Sequence, residues 1–348
     1  MFTPRRGITG GHAQTIYSWA RPRRFPWLPE PTVRYFDVAP ETRVLAHMHW
    51  QTDRTSAPLL LLLHGLNASS DAHYMRGMAA KAFARGMSVV RLNQRNCGRT
   101  EHLAPGLFHS GLTTDATHVI AELADTDGIR SVVVAGYSLG GNLALKLAGE
   151  FADTPPPSLK AVAAVSPILE ISLCVHALER RSNFLYQWNF TKELKARMRR
   201  KDRHWPGRFD LSKLADVHTV RDFDEVYTAP HFGFASAEDY YFRAAAMRLI
   251  DRVRVPALII TAEDDPFVPP EPFRDAKVTG NTAVSVAITE HGGHCGFVGA
   301  PSAESDGYWA EEQVVSFAAQ AAWSLSAMPG LTAISDRTAT RRPPVHPA

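Results

Sequence analysis

A chain of 348 residues suits one large domain, or one domain carrying an insertion. Its 45% hydrophobic content can fill a sizeable core, and a net charge of +3 is too mild to point to nucleic acid or a charged membrane. Three widely spaced cysteines, Cys97, Cys174 and Cys295, argue against a disulfide framework or structural zinc site and suit a reducing cytoplasm.

Residues 1–30 are rich in Arg, Pro and Trp and read as an extension packed on the core, not as a signal peptide. "TVRYFDV" and "RVLAHMHW" read as two strands turned at Pro40–Glu41. "APLLLLLHG" has the uninterrupted apolar run of a strand buried on both faces; at five leucines it is far too short to span a bilayer. A helix follows over "DAHYMRGMAAKAFARG", with Asp71 as N-cap and Gly86 as stop. "MSVVRLN" is a strand, "TTDATHVIAELAD" a helix, "RSVVVAGY" a strand, "LGGNLALKLAGEFA" a helix, and "LKAVAAVSP" a strand closed by Pro167.

This alternation predicts an α/β fold: a mostly parallel sheet of about eight strands with helices on both faces. It breaks over residues 168–249, read as a helical cap or lid inserted over the sheet's C-terminal edge. It resumes with "VPALIITAEDD", "TAVSVAIT" and the helix "WAEEQVVSFAAQAAWSLSA". The main domain is thus 31–328, and the tail 329–348 reads as disordered.

Gly136-Tyr137-Ser138-Leu139-Gly140 matches G-x-S-x-G between a strand and a helix. A serine on so sharp a turn needs small flanking residues, and the following helix directs free N–H groups at its hydroxyl. A serine hydroxyl also needs a base, so the motif calls for a carboxylate and a histidine downstream, in that order. "AEDDPFVP" and "TEHGGHCGF" supply them. Asp265 is favoured over Asp264, which reads as a cap or bracing group, and His294 over His291, a loop residue. In "HGLNASSDAHY", the backbone N–H of Leu66 can pair with that of Leu139 as an oxyanion hole, leaving His64 structural. Cys295 reads as a packing residue.

These residues, together with "GHAQTIY", "RNCGRT" and "TVRDFDEVYTAPHFGFASAEDYYFRAA", resemble the α/β-hydrolase superfamily, and within it the YheT-type branch that includes eukaryotic abhydrolase-domain lipases and yeast medium-chain esterase/acyltransferases. The chain departs from that branch at Ala13, where a bulkier apolar residue is common. The resemblance implies an α/β-hydrolase fold and hydrolysis of short- to medium-chain carboxylic esters. It also implies a Ser138–His294–Asp265 triad, no cofactor and no metal.

The expected partner is a small-molecule ester, with no nucleic acid and no integral membrane segment; peripheral contact with lipid and oligomeric state stay open. Acyl transfer to an alcohol, cleavage of another bond and a non-catalytic binding role are the alternatives. The Arg- and Lys-rich "FLYQWNFTKELKARMRRKDRHWPGRFD" reads as a lid helix whose charges form a solvated face. Phe232, Phe234, Tyr240 and Tyr241 read as packing residues. The Arg and Asn of "RLNQRNCGRT" read as bracing the loop against "FDEV", and His12 and Gln14 are candidates to lie beneath the site.

Overall fold

The structure, a computed structural model, describes residues 2–323. The expectation for the tail 329–348 therefore falls outside the described residues. Strands β1 (Thr32–Ala39) and β2 (Thr42–His49) form an antiparallel hairpin, followed by β3 (Leu59–Leu63), β4 (Ser88–Leu92), β5 (Val132–Tyr137), β6 (Leu159–Val165), β7 (Ala257–Ala262) and β8 (Val284–Thr289). They make one eight-stranded sheet in the order β1-β2-β4-β3-β5-β6-β7-β8. β2 pairs antiparallel with β4, and every pairing from β4 to β8 is parallel.

The helices are α1 (Gly11–Ala20), α2 (His73–Ala84), α3 (Thr114–Asp127), α4 (Leu139–Phe151), α5 (Ile171–Leu178), α6 (Phe184–His204), α7 (Val220–Phe223), α8 (Ala229–Phe232), α9 (Ala237–Ala244), α10 (Ala276–Thr279) and α11 (Trp309–Ala322). The period-two geometry of a strand divides the run of leucines between two cores. Leu59, Leu61 and Leu63 pack with Val119, Ile120 and Leu123 of α3 and with α4. Leu60 and Leu62 pack with Met75, Met78 and Ala79 of α2 and with Val314 and Val315 of α11. All five leucines are buried, which is why no polar residue interrupts them.

From β3 the chain crosses to β4 on one side and then to β5 on the other, so the strand order reverses between β3 and β5. Leu63 pairs with Gly136 at the C-terminal ends of these strands. Open α/β sheets hold ligands in the crevice at such a reversal. Helices α5 to α9 all fall between β6 and β7.

Two local expectations are corrected. Asp71 does not cap α2; the N-cap position is Ala72 and makes no side-chain cap bond. Arg91 on β4 takes the Asp71 carboxylate instead, at 3.2 Å, because a buried guanidinium demands a counter-charge more strongly than a helix end demands a cap. The Arg/Lys run of α6 is not wholly a solvated face. Gln187, Thr191, Leu194, Arg197, Met198 and Lys201 recur at helical spacing and are buried. Lys201 donates to Asn96 Oδ1 (2.8 Å) and to the Ala104 carbonyl (2.5 Å), which permits its burial.

Candidate active site

β5 ends at Tyr137 and α4 begins at Leu139, leaving Ser138 alone to turn the chain at φ 54°, ψ −115°. That conformation is costly for a residue with a Cβ and persists because the backbone is clamped on both sides. Ser138 N–H donates to the Val165 carbonyl on β6 (2.8 Å), and the Ser138 carbonyl accepts from Asn142 N–H (3.0 Å). The flanking glycines follow from the same turn. A Cβ on Gly136 would overlap the carbonyl of Gly140, and one on Gly140 would overlap the carbonyl of Leu63. Both obstacles are backbone, which cannot swing aside. Gly140→Ala is therefore expected to lower the urea midpoint sharply or prevent soluble expression, whereas Ala148→Gly on the same helix costs only about 1 kcal/mol.

The turn after β3 is equally fixed. His64 is fully buried, with Nδ1 2.8 Å from the Gly65 carbonyl and Nε2 accepting from Gln94 N–H (3.2 Å). This pattern requires the proton on Nδ1. Burial, with the charge of Arg197 nearby, brings the imidazole down to about 4, so it is neutral. His64 is a structural support. Gly65 N–H donates to the Tyr74 hydroxyl (3.0 Å), so it is not available to a ligand. Among the described residues, neither Leu66 N–H nor Leu139 N–H has a protein acceptor. Both residues line the same cavity as Ser138.

Asp265 and His294 meet although 29 residues apart, His294 Nδ1 lying 2.8 Å from Asp265 Oδ2. The Asp265 side chain is wholly buried, and its Oδ1 accepts from Phe267 N–H (3.0 Å) and Val268 N–H (2.9 Å). Asp264 faces the other way: Oδ1 accepts from Gly293 N–H (2.8 Å), and Oδ2 lies 3.3 Å from His291 Nδ1. It braces the loop that carries His294. Burial disfavours the charged form of His294, but the Asp265 carboxylate outweighs it and holds the imidazole well above its ordinary range.

The His294 loop rests on the end of β6, where Cys295 N–H donates to Ser166 Oγ (3.1 Å), one strand from Ser138. The Phe267 ring lies 4.1 Å from the imidazole and lines the cavity with Ser138. No hydrogen bond joins the Ser138 hydroxyl to His294 in this structure. Hydrogen bonds between a nucleophile and its base commonly tighten only when substrate binds.

Thr15 on α1 is not singled out by the sequence, and together with the candidate Gln14 it holds the histidine loop. Thr15 Oγ1 accepts from His294 N–H (2.8 Å). Gln14 is fully buried, donating to the carbonyls of Ile8 (2.5 Å) and Val298 (3.0 Å) and accepting from Val298 N–H (2.7 Å). His12 stacks on Tyr186 of α6 and shares a 3.1 Å contact with its hydroxyl. The usable signal was Gly11, Gln14 and Ser18, one small and polar helix face, all buried. Ala13 is on the exposed face.

Ser138 opens into a cavity of about 920 Å³, its mouth included. Its walls are mainly apolar, from α5, α6 and the segment around Val220–Tyr241. Tyr240 and Tyr241 are buried packing residues that also line it, whereas Phe232 and Phe234 pack on His109. A π-helical turn, Asp224–Thr228, turns Asp224 into the wall. Burial raises this carboxyl to about 7, with the Thr228 and Tyr241 hydroxyls as its donors.

The Arg and Asn of "RLNQRNCGRT" do not brace against "FDEV". Arg95 forms a two-pronged pair with Asp115 (2.7 and 2.6 Å), and Asn96 donates to the Gly106 carbonyl. Both partners lie nearer along the chain, Asp115 on α3 and Gly106 in the loop before it.

The α/β-hydrolase family model ("alpha/beta hydrolase fold") matches residues 58–301. The chain is 32% identical to YheT of Escherichia coli K12, a candidate esterase by its name, across 86% of this chain and 87% of that one. It is 28% identical to mouse phospholipase ABHD3 across 72% of this chain and 60% of the relative. It is also 26% identical to a Saccharomyces cerevisiae protein named medium-chain fatty acid ethyl ester synthase/esterase 2, across 80% of this chain and 66% of that one. This chain thus spans nearly all of the bacterial relative but about three fifths of the mouse one. Among solved structures, the Pyrococcus furiosus esterase Pf2001 superposes with a TM-score of 0.57 at 13% identity, covering 84% of this chain and 94% of its own. No described helix is long and apolar enough to cross a membrane.

Proposed function

The chain belongs to the α/β-hydrolase fold family, and from that premise we propose that it is a serine hydrolase of short- to medium-chain carboxylic esters, with Ser138, His294 and Asp265 as its triad. The observation that carries the reading is the His294–Asp265 contact of 2.8 Å beside the strained Ser138 turn. Ser138 Oγ attacks the ester carbonyl while His294 Nε2 takes its proton, and Asp265 holds the proton of Nδ1 and stabilises the imidazolium. The Leu66 and Leu139 N–H groups, otherwise without acceptors, receive the oxyanion. The intermediate collapses to an acyl-Ser138, His294 returns the proton to the departing alcohol, and water activated by His294 releases the acid. Helices within 168–249 act as the cap that forms the acyl cavity.

A fluorophosphonate probe followed by peptide mass analysis tests the nucleophile, with Ser138 as the expected adduct. p-Nitrophenyl esters of graded chain length test the chemistry and the cavity together. Labelling elsewhere, or no ester turnover at any length, overturns the reading. The yeast relative's name gives weight to a second reading, acyl transfer, which predicts ethyl ester as a product when ethanol is added.

The reading also predicts a pH profile. His294 must be neutral to accept the serine proton, and its partner Asp265 favours the charged form. kcat/KM should therefore rise with pH, with a midpoint above the ~6.5 of an unperturbed imidazole. In stability the sign is opposite: the ion pair's contribution is full below about 6.5 and is lost as pH climbs through the raised value.

A further inference from the structure

The cavity that holds Ser138 contains a charge that the proposed reaction does not use. Arg197, on α6, is 7% exposed and lines this cavity. Among the described residues it takes part in no ion pair, whereas the neighbouring Arg200 on the same helix pairs with Glu101. Its Nη2 donates to Asn67 Oδ1 (2.8 Å), while Nε and Nη1 are buried without an acceptor among the described residues. One face of the guanidinium lies over the Phe108 ring, 5.3 Å from its centre. Asn67 directly follows Leu66, the proposed oxyanion donor, and its amide donates to the Phe190 carbonyl (2.9 Å), which holds it as the acceptor for Arg197.

Guanidinium cannot shed its proton, so burying it with two idle donors costs free energy that a bound oxyanion would recover. The buried carboxyl in the cavity wall, Asp224, is committed to Thr228 and Tyr241 and is not paired with Arg197. The planar fork of an arginine fits a carboxylate or a phosphate through two parallel hydrogen bonds.

On the reading that Ser138 is an ester-cleaving nucleophile, we propose that the substrate carries an oxyanion, a carboxylate or a phosphate, that docks on Arg197 beside the oxyanion turn. The enzyme then selects an ester with an apolar segment in the cavity and a negative group within reach of the reacting carbonyl. Arg197 is a specificity-determining residue that binds substrate away from the bond being broken.

The test compares esters matched in length. p-Nitrophenyl hemiesters of glutarate and adipate are set against the uncharged valerate and hexanoate, and a 1-acyl-glycerol 3-phosphate against the matching 1-acyl-glycerol. In the wild-type protein the charged member of at least one pair should have the higher kcat/KM. The pair that shows the preference identifies carboxylate or phosphate as the source. Arg197→Met should cut the charged-to-neutral ratio by about 10- to 100-fold, the scale of a lost charge-assisted pair, and Arg197→Lys should restore part of it.

A merely structural role would move both esters together and leave the ratio alone, and that result overturns the proposal. So does a wild-type preference for the neutral member of every pair. Turnover of neutral esters with no charge preference would sink this inference but leave the serine hydrolase reading standing. Loss of turnover on all esters would sink that reading as well.

Discussion

Ser138→Ala is expected to lower kcat on its best p-nitrophenyl ester by about 10⁴- to 10⁶-fold, the range over which serine nucleophiles fail when removed. The fold should survive. The Ser138 hydroxyl holds no hydrogen bond among the described residues, so its removal strands no buried partner there. The strained φ of 54° is tolerated no worse by Ala than by Ser, since the penalty comes from the Cβ that both carry. Urea midpoints of the two proteins should therefore agree closely while their activities diverge. A small residual rate above the uncatalysed one is expected from the Leu66 and Leu139 N–H groups and from binding alone. If the variant turned over esters at a rate near wild type, Ser138 would have no place in the mechanism.

Asp265→Asn should cost about 10⁴-fold in kcat, with little change in KM. The reason lies in the hydrogen-bond directions around the carboxylate. Oδ1 accepts from two backbone donors, Phe267 N–H and Val268 N–H. An asparagine must keep its amide oxygen on that side, because turning the NH₂ there would oppose donor to donor twice. Its NH₂ then faces His294 Nδ1, forcing that nitrogen to accept and moving the ring proton to Nε2. An imidazole protonated at Nε2 cannot take the serine proton.

The same change removes the charge that raises His294, so any residual pH profile should shift to lower pH. Asp264→Asn is the control. It disturbs the Gly293 and His291 contacts of the loop and should cost at most about tenfold, the scale of one hydrogen bond. Reversed magnitudes would assign the carboxylate role to Asp264 instead.

The two predictions rest on features that differ in how far the sequence reveals them. Ser138 is legible because its constraints are local: strand, tight turn and helix follow one another directly, and Gly136 and Gly140 are fixed by backbone atoms within a few residues or on the adjoining strand. The cap of α2 misled for the opposite reason. Asp71 meets every local rule for an N-cap, but Arg91 arrives from β4 with a stronger claim on its carboxylate.

The same competition explains α6. By composition its basic residues belong in water, yet Arg197 and Lys201 face inward because Asn67, Asn96 and the Ala104 carbonyl wait there on other elements. Thr15 and Gln14 on α1 could not be assigned to the His294 loop either, since that loop lies nearly 280 residues away along the chain.

By itself the sequence determined the alternating α/β architecture, the elbow serine and the chain order of the groups that could serve it. Those properties depend on period, on turn sterics and on residue type, all of which act over a few residues. Only the tertiary structure decided which aspartate meets His294 and, among the described residues, which loop N–H groups lack an acceptor and which arginine is buried without a counter-charge. Each of these is settled by competition among donors and acceptors brought together from distant segments, and a linear order of residues does not record who wins.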